Sequence, residues 1–137
     1  MPDFTLHERL NADTYFIADL KLCRLLLMND TRFPWVILVP RQNELREFHD
    51  LTSQDRHRLM DEISYMAQTI EIEFKTEKIN IGALGNIVPQ LHIHVIARDP
   101  NDAAWPAPVW GHGRAVSYTA TDAQAQCKRI KALIQKF

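Results

Sequence analysis

Residues 90–98 read QLHIHVIAR. Polar and apolar residues alternate along most of this stretch. That is the period of a β-strand, in which successive side chains point to opposite faces. A strand is expected over 90–97. It places Gln90, His92 and His94 on one face, about 7 Å apart per step. Leu91, Ile93 and Val95 lie on the other, facing a core. Nothing in folding requires two imidazoles and an amide in a row, so this stretch bears on chemistry as well as on fold.

Working outward, KINIGAL (78–84) reads as a further strand. Before it, Leu59, Ile63, Met66, Ile70 and Phe74 recur at spacings of four and three, the apolar face of a long helix. Thr52 is its N-cap, with Asp55 three residues on. Arg56, Asp61, Glu62, Gln68 and Glu71 fall on the opposite, solvated face. WVILV (35–39) is a β-branched strand ended by Pro40. NDTRFP (29–34) is turn chemistry. TYFIA (14–18) and LCRLLLM (22–28) are two more strands, split near Asp19, and 6–12 suits a short helix.

Downstream, residues 100–114 hold three prolines and two tryptophans and read as an ordered loop. Thr121 with Gln124 is a capping-box pattern, starting a C-terminal helix through about Gln135. The order strands, helix, strands, helix suits an α+β fold, a mostly antiparallel sheet with helices packed on it.

The chain has 137 residues, so one domain over 1–137 is expected. Its formal net charge of −1 gives no argument for a nucleic-acid backbone or an anionic membrane as partner. No apolar run approaches the roughly 18 residues of a membrane span, and no signal peptide is visible at the N-terminus. Cys23 and Cys127 make no CxxC pair and read as reduced, buried thiols. The expected location is cytoplasmic.

Three readings of the histidine strand compete. The residues could be the polar face of a half-buried strand. They could begin a zinc site, which would have to borrow His49, His112 or a distant carboxylate. Or one imidazole is a nucleophile, unprotonated near neutral pH, while the second hydrogen-bonds the anion under attack.

The third reading gains from a resemblance. QLHIHVIAR resembles the signature strand of the histidine triad (HIT) superfamily, His–x–His–x–His with apolar residues between. LLLMNDTRFPWVILVPR (25–41), FHDLT (48–52) and GALGNIVPQ (82–90) resemble other segments of that family in order and spacing, so the likeness covers about 15–100. It implies a HIT-like fold with an antiparallel sheet of about five strands, one long helix and one C-terminal helix. The loop and helix of 101–137 lie beyond it.

It also implies a hydrolase or nucleotidyl transferase that cleaves a nucleoside monophosphate from a phosphoramidate or dinucleoside polyphosphate. His92 matches the nucleophile that forms a covalent nucleotidyl-histidine, and His94 the histidine that bonds the phosphoryl oxygens. These two are the catalytic residues. Asn29, at the ribose position, and Asn86, Gln90 and Arg98 are the substrate-binding ones. Leu25, Leu27 and Phe4 are candidates to sandwich the base. No metal or cofactor is implied. The implied partners are a nucleotide or dinucleotide substrate and a second copy in a homodimer.

Three residues depart from the family pattern. Gln90 stands where the first histidine is expected. There the backbone carbonyl is what holds the middle imidazole, so the change is compatible with chemistry. Trp35, after Pro34, stands where a further histidine is common, which suggests a proton relay replaced by an amide packed on an indole. Ile87 stands where Ser or Thr serves the leaving group, which favours a leaving group that departs as an anion. The loop 105–114 reads either as surface packing or as a lid, with His112 or Arg114 meeting phosphate. The three departures feed an alternative function: a catalytically weak nucleotide-binding or sensing protein on the same fold.

Overall fold

The computed structural model describes residues 3–134. The elements are α1 (Glu8–Asp13), β1 (Thr14–Asp19), β2 (Cys23–Met28), β3 (Trp35–Pro40), α2 (Ser53–Phe74), β4 (Lys78–Gly82), β5 (Ile93–Arg98) and α3 (Ala120–Leu133), with a single 3-10 turn at Phe48–Asp50. The strands form one five-stranded sheet in the order β1-β2-β3-β5-β4, antiparallel throughout. The first three strands are joined by short connections. α2 then carries the chain across to β4 at the far edge, and β5 fills the gap between β4 and β3.

Both long helices lie on one face of the sheet. The alternation of β2, β3 and β5 sends Leu25, Leu27, Val36, Leu38, Ile93 and Val95 to that face. There they pack with Leu59, Ile63, Met66 and Ile70 of α2 and Ile130 of α3. The other face carries Leu26, Trp35, Ile37, Val39 and Ile96, covered by irregular chain: Phe4 and Leu6 from the N-terminus, and Ala104, Val109 and Trp110 from the loop after β5. His92 and His94 share the sequence parity of Ile96 and lie on this loop-covered face.

α2 begins where its cap was expected: the Thr52 hydroxyl accepts the Asp55 N–H at 3.1 Å. One residue of its expected solvated face is misplaced. Glu62 is fully buried, because its carboxylate accepts the N–H groups of Leu22 and Cys23, both at 2.9 Å, at the entry to β2. A buried carboxylate requires such donors. α3 starts earlier than the capping-box pattern indicates. Thr119, not Thr121, is the cap, accepting from Asp122 N–H at 3.1 Å. The expected end near Gln135 lies outside the described residues.

β5 is shorter than the expected strand 90–97. Residues 90–92 precede the ladder, where Leu91 N–H bonds the Leu45 carbonyl at 2.8 Å rather than β3. Leu25 and Leu27 are 0% exposed in the helix-side core, which corrects their candidacy as base-stacking residues. Cys23 and Cys127 are both free, the first buried and the second half-buried. No helix among the described residues is long and apolar enough to cross a membrane.

Candidate active site

Two imidazoles stand side by side at the start of β5. Their ring centroids are 5.0 Å apart and their planes are at 66°. His92 is 7% and His94 8% exposed. The sheet presents them. His94 pairs with Ile37 of β3 on one side and with Gly82 of β4 on the other.

Different neighbours fix the two rings. Nδ1 of His92 lies 2.7 Å from the Gln90 carbonyl oxygen, which can only accept, so Nδ1 donates its proton. In the neutral ring Nε2 then carries the free lone pair. Nδ1 of His94 instead accepts the indole Nε1–H of Trp35 at 3.0 Å. Indole nitrogen is a donor only, so the His94 proton resides on Nε2. The result is a pair of opposite tautomers, one offering a lone pair and the other an N–H.

Burial keeps both rings neutral. It is the main cause that lowers the pKa of His92, opposed by the bond to the Gln90 carbonyl and reinforced by His7. His94 is pushed down to about 3, by burial first and by the neighbouring His92 second. The desolvated cation is what is disfavoured.

Aromatic rings wall His94. Trp35 lies 5.6 Å away and Trp110 5.4 Å away, the latter edge-on at 80°. Trp110 seats directly on Gly82, where a Cβ would lie 2.7 Å from its Cη2 atom. Glycine is required there for the close approach, not for backbone conformation. Trp110 Nε1 is buried and has no hydrogen-bond partner among the described residues.

Arg98 closes the far end of β5, about 13 Å from His94 by strand rise. It was expected at the substrate, but it is 1% exposed. Its guanidinium donates to Asp102 at 2.7 and 3.1 Å, to Asn80 at 2.8 Å and to the Ala107 carbonyl at 2.8 Å. Asp102 also accepts the N–H groups of Asp99, Ala104 and Trp105. Burial works to raise the Asp102 carboxyl, but Arg98 and these backbone donors hold it well below the usual carboxylate range. This anchor orders the loop that brings Trp110 onto His94.

The remaining expected residues are dispersed. Asn86 is exposed in the loop before β5 with Ile87, which is 71% exposed. Asn29 lies at the end of β2, where its side-chain oxygen accepts Tyr118 N–H at 2.8 Å and ties down the segment before α3. His112 and Arg114 are exposed and do not line the cleft at His92. His49 is exposed in the 3-10 turn. No group of three or more His, Cys, Asp or Glu able to hold a metal occurs among the described residues.

The expected packing of the Gln90 amide on the Trp35 indole is not what forms. Trp35 serves His94. Gln90 turns to the N-terminal segment, where its Oε1 accepts His7 N–H at 2.8 Å and its Nε2 donates to the Thr5 carbonyl at 3.0 Å. A cleft at His92 is lined by Arg46, Phe48, Leu84, Gly85, Pro89 and Gln90. A second, open groove holds His7, Glu44 and Leu45 and shares Arg46, Pro89 and Gln90 with the first. The sequence patterns singled out neither His7 nor Arg46. Both sit in irregular chain, where no periodicity marks a residue.

A family model described as HIT domain matches residues 9–101. Among solved structures, a histidine triad protein from Bradyrhizobium japonicum superposes with a TM-score of 0.93 at 42% identity, covering 98% of this chain and 100% of the other. One from Sinorhizobium meliloti gives 0.92 at 46% identity, with coverage of 96% and 97%. A third, from Marinobacter aquaeolei, gives 0.93 at 44%, with 96% of each chain covered. No curated protein matches.

Proposed function

This chain belongs to the HIT domain family, and we propose that it is a metal-independent nucleotide hydrolase or nucleotidyl transferase acting through His92. The observation that carries the reading is the opposite tautomers of His92 and His94. Nucleophilic attack on phosphorus needs a lone pair, and the oxygens of the attacked group need a donor. The two rings offer one of each, held by the Gln90 carbonyl and the Trp35 indole.

In the proposed reaction, Nε2 of His92 attacks the α-phosphorus of a nucleotide. A P–N bond forms, and the bond from phosphorus to the leaving group breaks, its electron pair departing with that group. Nε2–H of His94 bonds a non-bridging oxygen and strengthens as charge gathers there. Water then attacks the phosphorus of the nucleotidyl-histidine. The P–N bond breaks back to neutral His92, and the nucleoside monophosphate leaves with the water oxygen. Water's two protons go to that product and to the solvent.

Gln90 stands at the first position of the triad in this reading, and its backbone supplies what that position needs. Asn86, exposed in the loop beside the cleft, is proposed as a phosphate donor. Arg98 is assigned to holding the Trp110 loop rather than to substrate. Asn29 is assigned to anchoring Tyr118 through its oxygen, which leaves only its amide N–H groups for a ribose. The homodimer would join two copies through α2 and the β4 edge, a reading supported by exposed Met60, Ile72 and Ile81. The cytoplasm is the proposed location, on the two free cysteines.

A second reading, a nucleotide sensor with weak chemistry, draws on Ile87, whose side chain offers no donor to a leaving group. Steady-state hydrolysis of an adenosine phosphoramidate and a diadenosine polyphosphate, run in chelator, separates the two. The enzyme reading expects turnover of at least one compound, abolished in His92→Ala. Nucleotide binding without turnover supports the sensor.

A further inference from the structure

Gln90 spends both ends of its amide on chain that lies 83 and 85 residues away: His7 N–H at 2.8 Å and the Thr5 carbonyl at 3.0 Å. Oxygen and nitrogen each meet a complementary backbone group, so the amide docks the segment in one register. A histidine here has no such paired donor and acceptor on one planar end. The docked segment brings an imidazole. Nδ1 of His7 accepts Arg9 N–H at 3.1 Å as the cap of α1, so in the neutral ring Nε2 carries the proton.

The ring lines the open groove together with Glu44, Leu45, Arg46, Pro89 and Gln90. That groove shares Arg46, Pro89 and Gln90 with the cleft at His92. His7 and His92 therefore line adjoining hollows with these three residues common to both. Arg46 is exposed, and no ion pair within 4.0 Å engages its guanidinium among the described residues. Glu44 is the acidic residue of this groove, and Glu47 lines the neighbouring cleft.

We propose that Gln90 is a clamp that recruits His7 to the substrate, so that the His7 Nε2–H and the Arg46 guanidinium together bind the anionic part of a substrate beyond the attacked phosphoryl group. The proposal rests on the function proposed above, and it names the substrate class that site takes: one whose leaving portion carries phosphate. It gives the leaving side a hydrogen-bond donor that the side chain of Ile87 lacks. With Nδ1 taken by Arg9 N–H, what the ring offers the substrate is a hydrogen bond from Nε2–H. A departing phosphate chain needs only that, because it leaves as an anion.

The test is equilibrium binding, which reads the subsite whether or not chemistry occurs. The full chain is titrated with AMP and with a methylene-bridged, non-hydrolysable diadenosine polyphosphate. His7→Asn keeps an acceptor for Arg9 N–H, since Asn is a favoured cap, and deletes the ring. Gln90→Ala releases the segment without touching His7. Both variants are expected to lose about tenfold in affinity for the dinucleotide, the scale of one hydrogen bond to a charged group. In His7→Asn, AMP affinity is expected to stay within about twofold, which also reports an intact fold.

An equal loss for AMP in His7→Asn overturns the proposal, because the segment then serves the nucleoside or the fold. So does no loss for either ligand, or a wild-type chain that gains nothing from the extra phosphates. Absence of turnover with the selective loss intact would instead strike the proposed chemistry and leave the subsite standing.

Discussion

The bond from the Trp35 indole to His94 can be cut with little else disturbed. Trp35→Phe keeps an aromatic ring against Phe33 and Trp110 and deletes the Nε1–H that His94 Nδ1 accepts at 3.0 Å. The orphaned acceptor is in a ring that is 8% exposed, where an unsatisfied polar group costs about 1–3 kcal/mol. The lost ring atoms add about 1 kcal/mol. At about 3 °C per kcal/mol for a domain of this size, Tm falls by about 6–12 °C. The consequence for chemistry is sharper. Without the indole donor nothing holds the His94 proton on Nε2, and either ring nitrogen can carry it. Long-range nitrogen–proton NMR of the imidazoles reads this directly. In the wild type at pH 7, His94 Nδ1 is expected at a bare-nitrogen shift and Nε2 at a protonated one. In the variant the two shifts converge, while burial and His92 still hold the ring neutral. A wild-type His94 found with its proton on Nδ1, or as an imidazolium, refutes the argument.

Acid weakens the fold through the same ring. The folded pKa of His94 lies below its unfolded value near 6.5, so the unfolded chain binds the extra proton. Stability is full above about pH 6.5 and falls as pH drops toward 3. By pH 4.5 His94 costs about 2–3 kcal/mol relative to pH 7, and His92, shifted the same way, adds to the loss. Urea midpoints of wild type and His94→Gln across pH 4.5–7 measure it, and parallel curves would contradict the assignment. Gly82→Ala drives a methyl to 2.7 Å from the Trp110 ring. It is expected to cost about 1–3 kcal/mol by overpacking and to lower turnover by tilting the indole off His94. Unchanged melting and turnover would show that the loop gives way freely.

Much of the fold was legible because periodicity reports it locally. The spacing of Leu59, Ile63, Met66 and Ile70 marks one buried helix face whatever the helix packs on, and the alternation at Ile93 and Val95 marks a strand. Glu62 was not legible, because its burial depends on two N–H groups 39 and 40 residues away. The start of α3 was misplaced by two residues because the Thr121–Gln124 pattern is matched by Thr119 with Asp122 just before it. Thr119 caps the earlier register, its hydroxyl accepting the Asp122 N–H.

In the site, the carbonyl that holds His92 lies two residues away and was implied by the resemblance, so it was readable. The Trp35 donor was not, because it depends on the register that sets Trp35 opposite Ile96 and so beside His94. Arg98 read as a substrate group from its place after the histidines. Only the folded loop shows Asp102, Asn80 and the Ala107 carbonyl taking its donors. His7 carried no pattern at all. Its place depends on Gln90 reaching across the fold to the N-terminal segment.

The central claim is that His92 is a nucleophile, and intact mass tests it most directly. The protein is mixed briefly with an adenosine phosphoramidate or a diadenosine polyphosphate in chelator, quenched and weighed beside His92→Ala. A transient gain of one adenylyl group, adenosine monophosphate less water, absent from the variant, is the predicted result. Turnover without any adduct, or an adduct that persists in His92→Ala, would contradict it.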